Sequence, residues 1–148
     1  MVDKSVAGKE YPPFTYEVEK VKIKELAEAI EDGNPLYRSE EAAQAGKHGS
    51  LIAPPTFPTL FRSEEWSMMD MLRDLKADIS KLLHGEQEYE YFRLIKPGDK
   101  LTCTTKIKDI FTKEGKSGSM DMITTETDCV DQKGELVVRA RALLVVRN

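Results

Sequence analysis

The chain has 148 residues, of which 40% are hydrophobic and 32% charged, with a net charge of −4. One domain of this size can bury a real apolar core. Charges of both signs are mixed and no basic block stands out, which argues against a nucleic-acid partner.

Residues 1–13 are polar and end in Pro12-Pro13, which predicts a loose, flexible N-terminal arm before a domain over 14–148. Met1 to Glu10 lacks the apolar segment of a signal peptide, and no apolar run in the chain is long enough to span a membrane. Phe14 to Glu19 alternates apolar and polar and reads as a strand. Ile23, Leu26, Ala27 and Ile30 recur at helical spacing, giving one stripe that faces a core. Gly33 sits where a left-handed C-cap belongs, and Pro35 disfavours helix at Asn34, so Asp32 to Leu36 reads as a turn. Ser39 caps the start of a further helix, and Gly46 and Gly49 bracket the loop after it.

Pro54 and Pro55 open a segment in which Phe57, Leu60, Phe61, Trp66, Met69 and Leu72 predict one long, mostly apolar helix. Such a helix needs cover on several sides, which a sheet wrapped around it supplies. From Glu86 onward the period changes to two. Turns at Lys96–Asp99, Gly115–Gly118 and Gln132–Gly134 separate long alternating runs, an antiparallel meander. Cys103 and Cys129 fall in these strands without metal-ligand spacing. Reduced cytosolic thiols are the plain reading, and a pairing stays open. One strand, then helices, then a strand run gives an α+β domain with a long helix on a curved antiparallel sheet.

Three motifs then carry a resemblance: Glu31-Asp32-Gly33-Asn34-Pro35-Leu36-Tyr37, Leu51-Ile52-Ala53-Pro54-Pro55-Thr56-Phe57, and Leu83-His84-Gly85-Glu86-Gln87, with Lys96-Pro97-Gly98-Asp99 as a weaker fourth. Together they resemble the MaoC-like and fatty-acid-synthase-type dehydratases of the hot-dog fold over roughly residues 14–147. The likeness is closest to the N-terminal halves of double-hot-dog enzymes and to non-catalytic subunits of mycobacterial heterodimeric dehydratases. The resemblance implies a single hot-dog domain and reversible hydration of 2-enoyl thioesters, equivalently dehydration of (R)-3-hydroxyacyl thioesters. It implies no metal and no cofactor, and an acyl-coenzyme A or acyl-carrier-protein substrate. It further implies a homodimer, or a heterodimer with a catalytic hot-dog subunit, in the cytoplasm.

That hydration needs a group to activate water, a proton source for the alpha carbon and donors to the thioester oxygen. The family implies an Asp and a His brought together by the Gly-Asp-x-Asn-Pro-Leu-His loop. Here Asp32 keeps its place and Tyr37 stands where the histidine belongs. An ordinary tyrosine titrates near about 10 and is a poor base at neutral pH. Loss of one acid/base group costs about 10²–10⁴ in rate. Catalytic relatives carry a His-Gly pair at the helix start, whose glycine N–H binds the thioester oxygen. The matching positions here are Pro54 and Pro55, and proline has no N–H. Two losses at one site point to a degenerate half-site that shapes a tunnel for a partner's Asp/His pair.

Plainer readings stand beside the sharp ones. Asp32 either acts in chemistry or satisfies turn amides, and Asn34 and Pro35 are turn formers. Tyr37 is either a hydrogen-bonding wall residue or core. His48 either replaces the lost histidine in space or is a solvated loop residue. His84 either lines the cleft or holds the strand start, with Gly85 as local structure. Pro54 to Phe57 would shape the tunnel. Met68, Met69 and Met71 either line it or are plain core. Two other functions compete: a non-catalytic acyl-coenzyme A-binding homodimer, and a hot-dog thioesterase using Asp32 or Glu64.

Overall fold

The computed structural model describes residues 1–115 and 118–148. Five antiparallel strands form one sheet: β1 (Phe14–Glu17), β2 (Leu82–Tyr91), β3 (Lys100–Gly115), β4 (Gly118–Val130) and β5 (Leu136–Arg147), in the order β1-β3-β4-β5-β2. The last three period-two runs, β3, β4 and β5, form the meander they predict, whereas β2 pairs with β5 at the sheet edge, so Lys96–Asp99 is not a hairpin turn between neighbouring strands. β2 starts at Leu82, earlier than Glu86, and carries a bulge between His84 and Glu86. The expected hairpin turn falls on Lys116 and Ser117, outside the described residues, although β3 and β4 stay paired up to Gly115 and Gly118.

Strand register sets four transverse rows of side chains on one face. The first row runs Cys103, Cys129, Val138, Tyr91, and the second Thr105, Thr127, Ala140, Tyr89. The third runs Ile107, Thr125, Ala142, Gln87, and the fourth Ile110, Ile123, Leu144, His84. Large or tightly packed residues of the end rows seed two separate cores. The first gathers Phe57, Leu101, Cys103, Cys129 and Val138. The second gathers Met71, Leu72, Leu75, Ile110, Ile123 and Leu144. Between them lie the threonines and alanines of the middle rows. Cys103 and Cys129 are free, buried and directly opposed. Their contact, with burial, pushes the Cys103 thiol up.

The helices are α1 (Lys20–Ala29), α2 (Pro35–Arg38), α3 (Glu40–Ala45) and α4 (Met68–Asp74). α1 buries Ile23 and Ala27, the stripe expected from its spacing. Its exit differs from the expectation. Glu31, at φ 57°, holds the left-handed position assigned to Gly33. The turn after it is shorter than predicted, because Pro35 starts a helical turn, where its missing N–H costs nothing. Ser39 caps α3 as expected, accepting from the Ala42 amide at 3.2 Å.

The long apolar helix does not form in one piece. A 3₁₀ turn over Phe57–Leu60 sits on the first core, and α4 sits on the second. Between them Ser63 Oγ accepts from the amides of Glu65 (3.1 Å) and Trp66 (3.4 Å). Ser67 then donates its amide and hydroxyl to Asp70, at 2.9 and 2.8 Å, and starts a new helix. Serine side chains that bond nearby backbone compete with continuous helix, so the apolar pattern breaks there.

The N-terminal segment also departs from the loose arm expected. Val2 and Tyr11 are buried in the second core. Backbone bonds join Gly8 to Ile107, Tyr11 to Thr105 and Asp3 to Leu75. Its apolar residues are too few to give a periodic signal, yet Val2 and Tyr11 join the second core and Val6 packs against it.

Candidate functional site

Asp32 is half-buried, and its Oδ1 accepts from the Asn34 amide at 2.9 Å. Asn34 in turn caps α2 by accepting from the Leu36 amide at 3.0 Å. The loop thus folds as two successive side-chain-capped turns. Tyr37, the next helical position, is only 8% exposed and packs in the first core with Ile23, Ala27, Ile52 and Phe57. Asp32 and Tyr37 keep the sequence spacing, but one serves turn amides while the other is core.

The proline segment likewise makes local backbone and packing contacts. Pro54 is buried and its carbonyl accepts from Phe57 N at 2.9 Å. The exposed Pro55 carbonyl accepts the Tyr91 hydroxyl at 2.8 Å. Burial pushes that tyrosine well above its ordinary range. Thr56 is exposed and its carbonyl closes the 3₁₀ turn onto Thr59. Phe57 is fully buried, edge-on to Tyr16 and Phe61 at 6.0 and 5.8 Å. His48 is half-buried in its loop, and its carbonyl accepts Lys96 Nζ at 3.0 Å.

A cleft of about 360 Å³ opens elsewhere, over the middle rows of the sheet. Its floor is Thr105, Thr125, Thr127, Ala140 and Ala142. Its far wall is the irregular stretch between the 3₁₀ turn and α4, with Phe61, Arg62, Trp66, Met68 and Met71. Small floor residues and a broken helix together leave the space. The Thr105 and Thr127 hydroxyls satisfy each other at 2.7 Å, so the floor presents mainly methyl groups. His84, Gln87 and Tyr89 edge the cleft along β2, with His84 Nε2 3.2 Å from Gln87 Oε1.

Of the residues singled out in the sequence, His84 lines this cleft, and Gly85 beside it forms the β2 bulge. A Cβ at Gly85 would come within 3.2 Å of the Leu143 carbonyl, so a larger residue there would press on β5. Asp32, Asn34, Tyr37, His48 and Pro54 to Phe57 do not line it. Met68 and Met71 do, whereas Met69 is half-exposed outside it. The threonine–alanine floor was missed in the sequence. Its signal is a run of small residues in the middle of a strand face whose ends carry Ile, Leu and Val. No cluster of three metal-ligating side chains occurs among the described residues. No helix there is long and apolar enough to cross a membrane.

Comparison with known proteins agrees with this architecture. The family model described as FAS1-like, dehydratase domain region, matches residues 5–140. A UPF0336 protein of Thermobifida fusca is 38% identical over 148 residues, covering 99% of this chain and 95% of that protein. Among solved structures, a chain of the C-terminally truncated HadBC complex, the 3R-hydroxyacyl-ACP dehydratase of Mycobacterium tuberculosis, superposes with a TM-score of 0.76. It is 27% identical and covers 95% of this chain and 96% of that chain. A MaoC-like dehydratase, 24% identical, superposes with a TM-score of 0.80 over 98% of this chain and 43% of that chain, a likeness of fold. The hot-dog α+β architecture expected from the motifs stands.

Proposed function

We propose a role that starts from one premise: the chain belongs to the family described as FAS1-like, dehydratase domain region. On our reading it is the tunnel-shaping subunit of a cytoplasmic (R)-specific enoyl-thioester hydratase, equivalently a 3-hydroxyacyl-thioester dehydratase. A second hot-dog subunit supplies the Asp/His pair. The observation that carries this reading is the division of labour at the degenerate loop. Asp32 serves the Asn34 amide and Tyr37 is buried in core, so the loop presents no acid/base pair. The apolar cleft lies apart from it, over a floor of methyl-bearing side chains.

The role of the cleft follows from elementary physics. A flexible acyl chain gains about 0.8 kcal/mol per methylene buried, whichever subunit supplies the walls. Met68 and Met71 adapt to such a chain without a fixed shape. The substrate is a thioester of coenzyme A or acyl carrier protein, and hydration of that kind of substrate needs no redox group. The relative whose structure is a HadBC complex supports a heteromeric arrangement.

The test is hydration of crotonyl-coenzyme A and a long-chain 2-enoyl-coenzyme A, followed at the enoyl absorbance. The purified chain is assayed alone and then with a hot-dog partner that carries the intact Asp-x-Asn-Pro-x-His loop. Turnover that requires the partner supports the proposal. Full turnover by the chain alone would overturn it.

A further inference from the structure

The cleft has a direction and a length. Its threonine–alanine floor runs across the strands, from β3 through β4 and β5 to the edge strand β2. Three strand spacings of about 4.8 Å make a trough of about 14 Å. An extended chain of single bonds advances about 1.2 Å per atom, so the trough takes about twelve carbons. Volume agrees independently. At about 30 Å³ per heavy atom, the share of one water in the liquid, 360 Å³ also holds about twelve.

The two ends differ. At β2 the exposed His84 and Gln87 leave the trough open and polar, with Gln87 Nε2 donating to the Arg141 carbonyl at 3.1 Å. At β3 the trough ends on Trp66 and Phe14, edge-on to each other at 6.3 Å. Both are tied to β3: Trp66 stacks on Tyr11, whose amide donates to the Thr105 carbonyl, and Phe14 lies opposite Cys103. Past Phe14, along β1, lies a charged hollow walled by Glu17, Glu19, Glu64 and Glu65 against Lys22 and Arg62. An apolar chain end gains nothing there, and a phosphate-bearing carrier meets mainly like charge.

We propose that the cleft is a chain-length gauge. An unbranched acyl group of about ten to twelve carbons enters from the β2 edge, methyl end first, and stops against Trp66 and Phe14. Trp66 is thereby a specificity-determining residue. The gauge presupposes the hydratase-subunit role proposed above and sets the length, direction and end of its acyl site. Each methylene buried short of the stop adds about fourfold in affinity. Each carbon past it stays in water or must displace the Trp66–Tyr11 stack, and adds none.

Trp66 is the only tryptophan in the chain and reads the stop directly. The purified chain is titrated with saturated thioesters from butyryl- to stearoyl-coenzyme A, with coenzyme A as the blank. Affinity should rise with length and level off at about twelve carbons, and Trp66 emission should shift only from about ten carbons upward. Thr127→Leu on β4 and Ala140→Leu on β5 put a block two strands and one strand from β2. The plateau should move to about eight and about four carbons respectively, and either variant decides the matter if the other does not fold. Graded plateaus without turnover in any mixture would uphold the gauge and overturn the hydratase role. Turnover with a partner, but a plateau that both variants leave unmoved, would overturn the gauge and leave that role standing. A Trp66 emission shift with butyryl-coenzyme A, or no binding at any length, would also overturn the gauge.

Discussion

The Tyr11 ring stacks on the Trp66 ring, with centroids 4.7 Å apart and planes 30° apart. Trp66 Nε1 also donates to the Pro12 carbonyl at 2.8 Å. The N-terminal segment thus braces the one irregular wall of the cleft. Tyr11 is itself held by Asp74, at 2.8 Å, at the end of α4. Contacts between residues more than fifty positions apart thus hold the wall of the cleft in place.

Replacing Trp66 by alanine should therefore loosen both the N-terminal segment and the wall. The expected cost is about 2–3 kcal/mol, from lost burial and stacking. Chemical denaturation measures it, and hydrogen exchange should quicken at Gly8 and Tyr11 as well as in α4.

Glu126 should dominate the acid side of the stability profile. It is 4% exposed and meets Lys106, Lys108 and Arg141 at 3.1, 2.7 and 3.0 Å. Burial opposes its charge, but Lys108, Arg141 and Lys106 outweigh that and lower its pKa to about 2. A depressed folded value means that the stabilisation is full above the unfolded pKa of about 4.3 and is lost as pH falls toward about 2. Glu126→Gln should cost about 1–2 kcal/mol near neutral pH, because the partner lysines stay half-exposed to water. It should also flatten the loss of stability between about pH 5 and 2 in a denaturation series.

Much of the fold was legible in the sequence because its strands have one buried face. Leu101, Cys103, Thr105 and Ile107 alternate in the sequence and are buried in the structure. The helix over Phe57 to Leu72 was misread because its apolar residues do reach the core, but as two short pieces. Ser63 and Ser67 divide them, and hydrophobic spacing does not register that division. The loop from Asp32 to Tyr37 was legible as a motif, whereas Tyr37 as core depended on Ile52 and Phe57, which are distant in sequence. The cleft was the least legible feature. It depends on strand register bringing Thr125 beside Ala142 and Thr127 beside Ala140.

Under the proposed role, a larger floor residue should shorten the acyl chain that the cleft accepts. Ala142→Phe places a ring beside Gln87 and Thr125. In the assembled enzyme, KM for long-chain 2-enoyl thioesters should rise by about tenfold or more, equivalent to at least about two buried methylenes. Crotonyl-coenzyme A should be turned over as before. Steady-state kinetics on both substrates checks this.

Phe57, adjacent to the two-proline segment, should behave as core. It is fully buried, so Phe57→Ala should lower stability by about 3–5 kcal/mol. A variant of near-native stability with sharply weakened substrate binding would instead place Phe57 in the tunnel.

The central claim is that the degenerate loop of this chain does no chemistry. The most direct measurement is the enoyl hydration rate of the assembled heteromer carrying Asp32→Asn and Tyr37→Phe in this chain. The account predicts a kcat within about twofold of the unmodified complex, with a stability loss near 1 kcal/mol from the weakened turn. A fall in kcat of about 10² or more, the signature of a lost acid/base group, would contradict it.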